Sequence, residues 1–211
     1  EILEPYIGVE LSQYNFLGKQ YFAPFNQFEQ EVFDKNSLLF KHNPDIIIIH
    51  NMLEDMYPNL VARFSSYSQS ELLTIAKNII SRYESILKAV RENSNSIIIC
   101  INFSAINYQT NELVHSLTMH MKNNYIHELN IKILSLCSSI SSCYTLNCAS
   151  VISQVGLDNW VDQKLYLMAK IPFSHYGQIA LGKSIARMIH SIKNQPSKCL
   201  VFDLDNTIWS G

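Results

Sequence analysis

The sequence predicts an α/β fold in three layers, a parallel sheet flanked by helices. The unbroken apolar run of "NPDIIIIH" at 43–50 lacks the alternation of a strand with one wet face, so it reads as covered on both sides, and "SIIICINF" at 96–103 reads as the next strand. Between them, Ser70 to Glu92 carries apolar residues at helical spacing. Strand, helix, strand in that order calls for a crossover and therefore a parallel pair.

Taken in order, the opening predicts a helix to about Asn15, and "KQYFAPF" an extended segment or strand. "NQFEQEVFD" predicts a short helix capped by Asn26, because an asparagine before an apolar-periodic run supplies the missing acceptor. In the long helix the stripe is Leu72, Leu73, Ile75, Ala76, Ile79, Ile80, Tyr83, Ile86, Leu87 and Val90. "NELVHSLTMHMKNNYIHELN" predicts the next helix and "IKILSLC", at 131–137, the next strand. The Ser and Cys stretch "SLCSSISSCYTLNCAS" then reads as a loop beyond a strand end, and "HYGQIALGKSIARMIHSIKN" as an amphipathic helix. "NQPS" links to a last strand, Cys199 to Phe202. The expected organisation is one domain over 1–194, then a linker and the first strand of a second domain over 195–211. Both ends look cut, and the first strand of the leading domain is expected to be missing.

Charged residues make up 16% of the chain against 47% hydrophobic ones, below the roughly 25% charge usual in soluble domains, so part of the surface is expected to meet a neighbour. A net charge of -2 without a basic block argues against nucleic acid, and no apolar run approaches the roughly 18 residues that span a membrane. The five cysteines form no CxxC pair and predict buried, reduced thiols in a cytoplasmic protein.

Two motifs compete for function. Gly177 to Ser184, "GQIALGKS", matches the phosphate-binding pattern G-x-x-x-x-G-K-[ST] letter for letter. Its interior continues the apolar stripe of Ile185, Ala186, Ile189 and Ile192, which predicts a helix running through it, with Gly182 a packing residue and Lys183 solvated. The second motif, "KCLVFDLDNT", sets Asp203 and Asp205 at the end of an apolar strand, with Asn206 and Thr207 behind them. Ile208 stands where a calcium loop needs its glycine, and a capped turn is the plain alternative.

The second motif resembles the first signature of the haloacid dehalogenase superfamily of phosphatases and phosphotransferases. With "FNQFEQEVFDKNSLLFKHNPDIIIIH" and "LDNWVDQKLYLMAKIPFS", it makes the chain similar to FkbH-like proteins, in which an SGNH-hydrolase-like (flavodoxin-like) domain precedes such a phosphatase domain. The resemblance implies that Asp203 is the phosphoryl-accepting nucleophile and Asp205 the general acid and base. Both would hold Mg2+, with Asn206 and Thr207 near the substrate. It further implies a phosphorylated small-molecule substrate, a C-terminal catalytic domain in cis and an acyl carrier protein as partner. Relatives in polyketide pathways dephosphorylate a bisphosphoglycerate and load the glyceryl unit onto a carrier thiol. A carboxylate can carry a phosphoryl group, and a metal offsets the repulsion between the two anions.

Hydrolase chemistry in the leading domain would require a Gly-Asp-Ser block, which the sequence lacks. Asn51 matches the oxyanion asparagine of such enzymes and His175 their histidine, but Pro172 occupies the place of the partner aspartate. A non-catalytic docking module is therefore the alternative reading, with esterase and nucleotide binder behind it.

Overall fold

The structure, a computed structural model, describes residues 2–24, 26–104, 122–169 and 171–194. Three strands, β1 (Ile46–His50), β2 (Ile97–Ile101) and β3 (Cys143–Leu146), form a wholly parallel sheet in the order β1-β2-β3. Ile46 pairs with Ile97 and Ile98 with Cys143, so β2 is central. Successive side chains point to opposite faces, which is why the isoleucine runs feed two cores. Ile47, Ile49, Ile98 and Cys100 enter one core, and Ile99 and Ile101 the other, with Ile46 and Ile48 packed against it. The predicted three-layer parallel fold is observed.

Helices α1 (Glu4–Ser12), α2 (Phe28–Phe33) and α3 (Leu38–His42) precede β1, and α4 (Leu53–Met56) with a 3₁₀ turn (Phe64–Ser66) follows it. Asn26 takes a left-handed backbone with φ of 58° and does not cap α2, whose N-cap is Gln27 without a side-chain bond. The expected cap is thus corrected: asparagine's tolerance of positive φ, rather than its acceptor, is used there.

The long crossover is α5 (Gln69–Asn93). Its start is a capping box in which the Ser68 side chain accepts from the Glu71 N–H and Glu71 reaches back to the Ser68 N–H. The predicted stripe is buried from Leu72 to Val90, except that Leu73 is exposed and Ile80 only partly covered.

The prediction at 131–137 is wrong. "IKILSLC" continues α6 (Lys122–Ser138), and the strand is the later β3, inside the stretch expected to be a loop. Leu129, Ile133 and Cys137 are buried at steps of four, while Ile131 and Leu134 face solvent at 47% and 55% exposure. Exposed apolar residues between buried ones made a helix look like a continuous strand. The remainder of the predicted loop opens α7 (Cys148–Val155).

Short helices α8 (Leu157–Trp160) and α9 (Gln163–Ala169) lead to α10 (His175–Lys193). Phe173, just before α10, packs on His50 at the end of β1 with ring centroids 5.5 Å apart. Lys193 at the other end pairs with Asp45 ahead of β1 at 3.3 Å, so α10 runs antiparallel to the strand. Trp160 is fully buried beneath it. Two glycines allow close approach: a Cβ at Gly177 would meet the Trp160 carbonyl at 2.8 Å, and one at Gly182 the Tyr6 side chain at 3.0 Å.

Candidate functional site

In parallel sheets the ligand end is the C-terminal edge of the strands. Each strand here is followed by an asparagine: Asn51 after β1, Asn102 one residue past β2 and Asn147 after β3. Asn102 and Asn147 are used structurally. Buried Asn102 accepts the Cys148 N–H at 2.8 Å, and Asn147 caps α7 by accepting the Ala149 N–H at 3.0 Å. Asn130, from α6, accepts the Phe103 N–H at 3.0 Å and donates to its carbonyl at 2.8 Å, fixing the exit of β2.

Asn51 differs. It is 7% exposed, and its Nδ2 and the Tyr83 hydroxyl lie beside each other, buried, outside full hydrogen-bond geometry and with no other partner. Burial holds the Tyr83 phenol above its ordinary range, so it stays neutral. Beside Asn51, burial against Phe173 pushes the His50 imidazole down to about 4, and burial raises the Glu54 carboxyl. His50, Asn51, Glu54, Phe103 and Ser104 border a cleft of about 10 Å³, room for a single water.

His175 is the first residue of α10, exposed, and hydrogen-bonded through Nδ1 to the Tyr6 hydroxyl at 2.8 Å. No carboxylate orients it among the described residues, and no hydrogen bond joins it to Asn51. The two residues that match hydrolase positions are not assembled into one bonded constellation. Asp203, Asp205, Asn206 and Thr207 lie outside the described residues.

The phosphate-loop alternative is corrected by α10, which runs unbroken through Gly177 to Ser184. Gln178 and Leu181, required in a phosphate-cradling loop, are buried on the helix, and the Gly177 N–H is taken by the Ser174 side chain. Those amides are not available to a phosphate.

The thiols of Cys100, Cys137 and Cys143 meet within the core. Hydrogen bonding to Cys137, with burial, holds Cys100 and Cys143 well above the ordinary thiol range, and burial pushes Cys148 up to about 12. Hydrogen bonds from Cys100 and then Cys143 hold the Cys137 thiol well below the ordinary range, but at 1% exposure it is closed off in the core with its neighbours, so the cluster packs rather than reacts. Among the described residues no group of His, Cys, Asp or Glu is arranged to hold a metal, and no helix is long and apolar enough to cross a membrane.

Residues 12–181 match the family described as FkbH, N-terminal domain. The chain belongs to this family. A comparison of the FkbH-family chain with curated proteins gives no match. Among solved structures it is similar to the N-terminal part of the protein BF1531 from Bacteroides fragilis, described as containing a phosphatase domain complexed with Mg. The TM-score is 0.76 at 20% identity, with 99% of this chain and 54% of that one covered. At that identity the likeness establishes the fold. The FkbH-family chain spans about half the length of that structure.

The asparagines 102, 130 and 147 escaped the sequence reading. For Asn102 and Asn147 the available signal was a polar residue directly after an apolar strand, which marks a cap or clamp at a sheet edge, whereas Asn130, inside α6, carried no such signal.

Proposed function

We propose that this chain is the N-terminal part of an FkbH-like phosphatase or acyltransferase that acts with a carrier protein in the cytoplasm. The α/β fold is its docking part, and the motif at Asp203 opens its catalytic domain. The family match over 12–181, with "DLDNT" following it in the same chain, carries the proposal. Asp203 takes the phosphoryl group. Asp205 protonates the leaving group and then activates water.

The Asp203 carboxylate and the Asp205 backbone carbonyl would supply hard oxygen donors suited to Mg2+. The similar solved structure is described with that ion, which supports the assignment. When bound, the metal would offset charge on the transferring phosphoryl group.

The reading is tested by Mg2+-dependent phosphate release from a protein that carries the domain opened by this motif. Asp203→Asn should lower the rate by at least about 10³-fold, as loss of a nucleophile does. Retained activity in that variant would remove Asp203 from the role.

A docking rather than hydrolytic role for the α/β fold is favoured by one specific feature. His175 is engaged by Tyr6 instead of a carboxylate, while the cleft at Asn51 holds no more than a water.

A further inference from the structure

Helix α10 has two stripes. Gly177, Gln178, Leu181, Ile185 and Ile189 face the core. Tyr176, Ala180, Lys183 and Arg187 recur at steps of four, three and four on another face, and border a groove of about 510 Å³ against the end of α7. Val155, Ile179 and Ala180 give that groove an apolar floor, and Tyr176 stands at one end, 66% exposed.

Lys183 and Arg187 lie one helical turn apart, both exposed. Neither forms an ion pair among the described residues, and none of the described residues lining the groove is Asp or Glu. Two cations on a shared rim without a counter-charge repel each other slightly, a cost that an anionic partner would remove. The remaining polar lining, Gln154 and Asn159, can hydrogen-bond to a carboxylate.

We infer that this groove is the seat of an acidic, amphipathic helix of a partner protein. Its apolar side chains rest on Val155, Ile179 and Ala180, and its carboxylates face Lys183 and Arg187. The groove is open along α10 rather than closed around its contents, and a small-molecule site encloses most of its ligand. An apolar floor with charge on one rim is how a helix is held in a groove, with the charges setting partner choice and encounter rate. The inference deepens the docking role proposed above and rests on it, while its test is independent of the phosphatase chemistry.

The probe is a synthetic helical peptide of leucine, alanine and glutamate, titrated into the isotope-labelled chain and followed by amide NMR. Saturable shifts are expected at Gln154, Val155 and along Tyr176 to Arg187, weakening with added salt. The double variant K183E/R187E should lower the affinity at least about tenfold, and K183Q/R187Q should do so by less, with both spectra remaining as dispersed as the parent. A peptide with lysine in place of glutamate should not bind there. The inference is overturned if no shifts occur, if they map elsewhere, if the lysine peptide binds equally, or if charge reversal leaves the affinity unchanged. Loss of phosphate release in Asp203→Asn would survive any of these outcomes, so the two proposals fail separately.

Discussion

The two polar surfaces of this molecule are built on opposite plans. At the C-terminal edge of the sheet, the end where parallel sheets place ligands, Asn102, Asn130 and Asn147 are spent on backbone groups, and the space beside Asn51 admits one water. Along α10 the groove is open and Lys183 and Arg187 have no ion-pair partner among the described residues. Polar groups that satisfy one another hold a fold together, whereas polar groups left facing solvent are free to meet something else.

That contrast can be broken by substitution. The largest effect on stability is expected at Trp160, which is fully buried under α10 and supports the start of that helix through its carbonyl. Trp160→Ala should cost about 3 to 5 kcal/mol in denaturant unfolding, as deletion of a buried aromatic does. A loss below about 1 kcal/mol would show that α10 does not depend on it.

Next comes pH. The folded His50 imidazole sits at about 4, below the 6.5 of the unfolded chain, so the unfolded state binds the proton more readily. Stability is therefore fully present above about pH 6.5 and declines as pH falls toward 4, by up to about 3 kcal/mol. His50→Gln should flatten this part of the stability profile. An unchanged slope in the variant would assign the acid sensitivity to other groups.

The smallest effects separate the asparagines. Asn102→Ala leaves the buried Cys148 N–H without its acceptor and should cost about 1 to 3 kcal/mol. Asn51→Ala removes an amide whose Nδ2 has only the Tyr83 hydroxyl beside it, outside full hydrogen-bond geometry, and should cost less than about 1 kcal/mol. Equal losses at the two positions would erase the distinction between clamp and spectator.

Elements whose apolar pattern is unambiguous could be read from sequence: the strands at Ile46 and Ile97, the helix from Ser70, and the helix through the misleading "GQIALGKS". The reading failed where exposed apolar side chains blurred the period, as with Ile131 and Leu134, and where the strand is only four residues long, as in β3. Asn51 and His175 could be placed at element ends, but their surroundings could not. The Tyr6 bond to His175 crosses 169 residues, a contact no local pattern encodes. The groove was hidden for the same reason, since α7 and α10 form it from separate stretches of chain, and Lys183 alone looks like any solvated lysine.

The central claim is that chemistry belongs to Asp203 while the α/β fold docks. One paired measurement tests it: Mg2+-dependent phosphate release by a protein that carries the complete phosphatase-type domain, compared in Asp203→Asn and His175→Ala. The account predicts a loss of at least about 10³-fold in the first and a rate within about twofold of the parent in the second. The reverse pattern, with activity surviving at Asp203→Asn and vanishing at His175→Ala, would contradict it.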